Sequence, residues 1–171
     1  MNTAELLTDA FGRVRELVTM ATDGLGAAEL AYRPEADANS IAWLTWHLTR
    51  VQDDHVSEIA GQEQVWTSEK WFEQFAMPFP PAATGYGHSS DDVARVAPQG
   101  PEMLRGYHES VSDRTLDYLA STDPSDLGRI IDESWSPPVT VGVRLVSVIS
   151  DNIQHAGQAR YVRGIVERTL R

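Results

Sequence analysis

The sequence predicts an all-α fold, a single four-helix bundle spanning residues 1–171. Three observations predict it. Four stretches repeat their apolar residues at the three-to-four spacing of an amphipathic helix. Helix start and stop residues stand at the ends of those stretches. A chain of 171 residues fits one domain with one substantial core, and no internal repeat or low-complexity tract divides it.

The first helix opens on a capping-box pattern, Asn2 with Glu5 three residues on. It carries Leu6, Leu7, Ala10, Val14, Leu17, Val18 and Ala21 at helical spacing and stops near Gly24 and Gly26. The turn-rich run YRPEADANS leads to Asn39 and Ser40, good N-cap residues for a second helix from about Ile41 to Ala60, with Gly61 placed to end it. From Gln62 to about Ser89 follows an irregular stretch holding Trp66, Trp71, Phe72, Phe75, Phe79 and Tyr86. Structureless connections of that length are uncommon in a compact domain and are often functional. Its aromatics are expected to pack over a bundle end, with a short helix around SEKWFEQF, and to roof a pocket.

SSDDVARV reads as a brief helical turn ended by Pro98, and Pro101 suits the first position of a third helix through EMLRGYHESVSDRTLDYLAS. After STDPSD comes an extended segment, LGRIIDESWSPPVTVG, whose Pro137 and Pro138 precede the last helix. That helix is expected from about Thr140 to Arg168, with Val141, Leu145, Val148, Val162 and Ile165 facing inward.

Composition narrows the function. The formal charge is −11 and no Lys/Arg cluster stands out, which argues against a nucleic-acid footprint and against an anionic membrane surface. There is no cysteine, so disulfides and thiolate metal sites are excluded and any metal must be held by imidazole and carboxylate. No apolar run has the length of a membrane span, and the N-terminal stretch lacks the pattern of a signal peptide; a cytoplasmic protein is expected. Basic residues are almost all arginine, Lys70 being the only lysine, a composition that points to a high-GC bacterial source.

Two of the five histidines fall on faces that ought to be buried. His47 shares a stripe with Leu44, Val51 and Asp54; in the last helix Val148, Asp151, His155, Gln158 and Val162 share another. Asp151 and His155 stand one turn apart and can converge on one ion. A carboxylate alone in an apolar setting is costly, and a cation removes the penalty. Two imidazoles and one carboxylate would leave a coordination position open, as in a catalytic site. Spacing alone equally allows a buried Asp151–His155 or Asp54–His47 hydrogen bond that serves packing. Gln158 is a candidate for orienting a ligand or for a bundle hydrogen bond; Asp54 and His55 either line the pocket or form a solvated polar pair. Gly157 is read as a close-approach position, Arg50 as exposed, His88 as a surface loop residue, and His108 as core or surface. Glu-x-x-His pairs, P-loops, dinucleotide glycine motifs and G-x-S-x-G elbows do not occur.

IAWLTWHLTRVQDDHVSEIAG together with DNIQHAGQARYVRG resembles the DinB superfamily, in particular its actinobacterial, mycothiol-dependent transferase-like branch, over nearly the whole chain. The resemblance implies a bundle of up-down-down-up order with a divalent metal near one end, zinc first, with nickel and iron as alternatives. Carried over by motif, the ligands would be His47, Asp151 and His155. Asp151 departs from the more usual His or Glu, and a carboxylate there is closer to the mycothiol-dependent enzymes than to the three-His bacillithiol-linked ones. The implied activity is thiol S-transfer, with mycothiol as the low-molecular-weight thiol and a small electrophile as its partner; family habit suggests a homodimer. Two alternatives stay open: a mycothiol-dependent isomerase, although such relatives are commonly longer by a C-terminal domain, and a non-catalytic metal-binding module of the stress response.

Overall fold

The computed structural model describes residues 1–170. Local signals start and stop its four long helices. In α1, Thr3–Thr22, the Asn2 Oδ1 accepts the Glu5 amide at 2.8 Å and the Glu5 carboxylate returns to the Asn2 amide at 2.9 Å. After the single turn α2, Ala27–Leu30, the Ser40 hydroxyl accepts the Trp43 amide and opens α3, Ile41–Ala60, which Gly61 ends at φ 64°. Short helices α4 (Val65–Ser68), α5 (Trp71–Phe75) and α6 (Ser90–Arg95) follow. Pro101 begins α7, Pro101–Ser121, and the Thr140 side chain caps α8, Val141–Thr169. Between them a 3₁₀ turn, Pro124–Gly128, leads into an antiparallel pair, β1 (Ile130–Asp132) with β2 (Val139–Thr140), Ile130 opposite Thr140. The extended segment is therefore a hairpin, with a cis Ser136–Pro137 bond in its loop. No helix among the described residues is long and apolar enough to cross a membrane.

Cross-helix partners give the topology. From His47 to His55 along α3, the partners on α8 run backwards from His155 to Arg144, so the two helices are antiparallel. Thr49 meets His108 and Gln52 meets Thr115, so α3 and α7 run parallel. Arg15 reaches Asp113 while Asp23 reaches Arg105, which sets α1 antiparallel to α7. Phe11 packs in one cluster with Val148, and Arg163 donates to the Met20 carbonyl, which sets α1 parallel to α8. The order is up-down-down-up. Because α3 and α7 run the same way, the chain must return along a helix of 20 residues, roughly 30 Å, before α7 can begin. The long aromatic stretch is that return path.

A buried amide chain fixes the register of three helices. The Asn152 amide donates to Gln52 at 2.7 Å, Gln52 donates to the Thr115 hydroxyl at 2.8 Å, and Thr115 donates to the Val111 carbonyl at 2.8 Å. Two apolar stripes differ from the expected ones. In α1, Phe11 joins Val14, Val18 and Ala21 in the core while Leu6 is exposed. In α8 the buried residues are Val141, Leu145, Val148, Asn152, Ala156, Ala159, Val162 and Val166, and Ile165 is only half-buried. Asp151 and His155 therefore flank the stripe instead of lying along its centre. Both are half-buried.

His108 is a core residue, 2% exposed. Thr49 donates its hydroxyl to the Thr45 carbonyl, so its oxygen accepts from His108 Nδ1 at 3.1 Å and Nε2 is left to accept from Ser112 at 3.3 Å. The neutral ring is satisfied on both nitrogens. Burial, aided by the charge of Arg15, lowers its pKa from 6.5 to about 3. Between those values the unfolded chain binds a proton that the folded chain refuses, so stability falls as pH falls through that window, by roughly 1 kcal/mol per pH unit for this group. Urea unfolding from pH 6.5 to 4 is expected to show a shallower loss of stability in His108→Gln than in the wild-type protein; equal slopes would contradict the assignment.

Candidate metal centre

Three helical side chains meet beside the aromatic return path. His47 of α3 and Asp151 and His155 of α8 each offer one ligand atom, and these atoms lie within 4.8 Å of one another. The antiparallel crossing of α3 and α8 makes this possible, because it sets the first half of α3 against the middle of α8.

The imidazoles are held from behind. His47 Nδ1 lies 2.6 Å from the Thr84 carbonyl, an acceptor only, so Nδ1 carries the hydrogen and Nε2 keeps its lone pair. His155 Nδ1 lies 2.9 Å from Gln158 Oε1, and its Nε2 faces Asp151 Oδ1 at 3.5 Å. The other carboxylate oxygen, Asp151 Oδ2, is buried and has no hydrogen-bond partner among the described residues. An orphaned buried carboxylate oxygen next to two presented Nε2 atoms is the donor set a divalent cation fits.

Electrostatics divide the two imidazoles. Burial lowers the His47 pKa, and the charge of His155 pushes the same way; the Thr84 bond opposes without prevailing. The hydrogen bond to Asp151 raises that of His155 against its burial. Burial pushes the Asp151 carboxyl up, but its bond to His155 and the charges of His155, His47 and His55 outweigh that and hold it below the usual range.

A family model described as mycothiol-S-transferase matches residues 6–168. The chain belongs to that family. It is a DinB-like family, as the two histidine motifs lead one to expect. The crystal structure of a conserved protein from Enterococcus faecalis matches the fold with a TM-score of 0.92 at 31% identity, covering 99% of this chain and 99% of that one. No curated protein matches.

In this mycothiol-S-transferase family member the surroundings of the triad are largely aromatic. The Trp43 ring stacks on His47 with centroids 4.6 Å apart, and its Nε1 donates to His88 at 3.2 Å. His88 is no ordinary surface residue: it stacks on Trp46 and packs against Phe79. Gln158 stands behind His155. Asp54 and His55 make their bonds elsewhere, Asp54 accepting from the Gln64 amide at 2.7 Å and His55 Nδ1 lying 2.7 Å from Arg144. Gly157 meets nothing that a Cβ would touch, so no close approach explains it.

The residues that build the wall were not apparent in the sequence. Arg50 is fully buried, not exposed. Its guanidinium donates to the Ala83 carbonyl at 3.0 Å, the Gln64 side chain at 2.8 Å and the Tyr107 hydroxyl at 3.1 Å, and lies 3.4 Å from Asp53. Asp53, buried beside it, accepts the amides of Val65 and Trp66, each at 2.8 Å, and the Tyr107 hydroxyl at 2.7 Å. These bonds clamp both ends of the aromatic segment to α3 and so deliver the Thr84 carbonyl to His47.

Gly85 completes the approach. At φ 98° it holds a left-handed conformation, and a Cβ there would stand 2.7 Å from His47 Nδ1 and 3.1 Å from the Trp43 and Trp46 rings. Gly85→Ala should therefore lower stability by about 1–3 kcal/mol and weaken any divalent-cation binding at the triad by about tenfold or more. Urea unfolding and chelator-competition titration of a divalent cation check it. Unchanged cation affinity would show that the segment does not set the His47 ring.

Proposed function

We propose that the protein is a divalent-metal-dependent S-transferase that joins mycothiol to a small electrophile, with His47, Asp151 and His155 as the metal ligands. The observation that carries this reading is the meeting of ligand atoms of His47, Asp151 and His155 within 4.8 Å of one another, with the second oxygen of the Asp151 carboxylate, Oδ2, buried and unpartnered among the described residues. The family supports the thiol. Three N/O ligands without a thiolate suit zinc first and leave nickel and iron as alternatives.

A bound divalent cation would supply Lewis acidity that favours the deprotonated form of a thiol, which with a pKa near ~8.5 is otherwise mostly protonated at neutral pH. The protein's own residues do the rest. With no cysteine in the chain, the sulfur arrives on the cosubstrate. Thr84 and Gln158 hold the imidazoles in one tautomer and one orientation. Trp43, Trp46 and Phe79 keep water from the inner side, while the half-buried edge of α8 leaves the outer side open. Sulfur forms a bond to the electrophilic carbon, the leaving group departs with its bonding pair, and the thiol proton passes to solvent. A cytoplasmic setting, where such a thiol is at hand, belongs to the same reading.

Metal analysis of purified protein, paired with conjugation of mycothiol to a fluorogenic alkyl bromide, tests it. His47→Ala, Asp151→Ala and His155→Ala are each expected to lose bound metal and at least about 10²-fold in transfer while keeping their helical circular dichroism. Gln158→Leu should weaken metal binding by about 10–100-fold, whereas Gln158→Glu, which still accepts from Nδ1, should retain more. Full metal content in all three ligand variants would overturn the assignment.

A further inference from the structure

On the outer side of the triad, next to Gln158, a groove of about 640 Å³ lies between α8 and the connection from α2 to α3. Glu35 and Asp37 stand on one wall, Gln154, Gln158 and Tyr161 on the other, with Leu44, one helical turn before His47, on the α3 side. We propose that this groove is the subsite for the sugar portion of the thiol, and that it selects a neutral, hydroxyl-rich thiol over an anionic one.

The inventory of polar atoms carries the argument. Gln158 spends its Oε1 on His155, which leaves its NH₂ to donate into the groove. Gln154 spends its NH₂ on Ser150, which leaves its carbonyl oxygen to accept. The carboxylates of Glu35 and Asp37 are exposed acceptors for hydroxyl groups. Tyr161, 71% exposed, offers a flat apolar face of the kind on which the C–H face of a pyranose rests. Among the described residues no Lys, Arg or His lines the groove. A thiol bearing carboxylates or phosphates would meet two uncompensated carboxylates and no cation, whereas polyols find donors, acceptors and a ring. The wall is also preorganised: Arg33 donates to the carbonyls of Ala36 and Ala38 and to Ser90, which fixes the Glu35–Asp37 turn before any ligand arrives. Because Gln158 touches both the groove and His155, a sugar held there would place its attached thiol arm beside the triad.

The inference rests on the proposed thiol transfer, so its test has one arm that needs no catalysis. In that arm the thiol-free glucosaminyl-inositol portion of mycothiol is titrated into the wild-type protein and into Asp37→Ala and Tyr161→Ala, with binding followed by saturation-transfer NMR. Saturation of the sugar protons by the wild-type protein, reduced about fivefold or more in both variants, is the expected result. In the kinetic arm the ratio of KM for N-acetylcysteine amide to KM for mycothiol should be well above one in the wild-type protein and fall about fivefold or more in each variant. No saturation transfer to the fragment, or a KM ratio the variants leave unchanged, overturns the subsite. Fragment binding that the variants abolish in a protein that transfers no thiol would uphold the groove and overturn the proposed reaction.

Discussion

The buried pair of Arg50 and Asp53 is the constraint on which the rest of the site depends. Both lie inside the fold, one turn apart on α3, where a charge without partners would be strongly destabilising. They are tolerated because the aromatic return segment supplies partners: backbone carbonyls of Ala83 and Pro81 for the guanidinium, backbone amides of Val65 and Trp66 for the carboxylate. Tyr107 of α7 bonds both, and its burial raises its pKa well above the usual phenol value, so it remains a neutral donor. The Trp66 ring lies under the guanidinium at 5.1 Å. A return path otherwise free to wander is thus fastened to the helix that carries His47.

That fastening separates the two sides of the triad. On the inner side the clamped segment brings a carbonyl, a left-handed glycine and a wall of stacked rings against His47, leaving its ring one orientation and one tautomer. On the outer side Asp151 and His155 flank the apolar stripe of α8, where solvent and small molecules can reach them. A rigid back and an open front suit the proposed centre, which would hold a cation firmly and still admit a substrate. The acidic groove beside the open front would extend the same logic to recognition.

The helices were legible in the sequence because their causes are local. Asn2 with Glu5, Ser40, Gly61 and Pro101 act within one turn of where they stand, and each sits in the structure where its signal places it. The triad was legible in part: the four-residue step from Asp151 to His155 is visible, but that His47 faces them depends on how α3 crosses α8. Arg50 was missed because two of the partners that bury it, the Ala83 carbonyl and the Tyr107 hydroxyl, lie 33 and 57 residues away. Asp53 was hidden beside Asp54, although a residue three after an arginine and four before a serine carried a signal. Thr84 acts through a backbone carbonyl, which no residue type announces, and Gly85 only through the ring that leaves no room for a side chain. The stripes of α1 and α8 shifted by a residue because neighbouring helices, not periodicity, decide which edge of an amphipathic face is covered.

In the proposed centre two imidazoles and one carboxylate share a single ion. X-ray absorption at the metal K-edge of zinc-loaded protein would show that sharing. The expected result is a four-coordinate N/O shell at about 2.0–2.1 Å whose outer-shell multiple scattering fits two imidazoles, falling to one in His155→Ala. A shell with no imidazole scattering, or one that His155→Ala leaves unaltered, would contradict it.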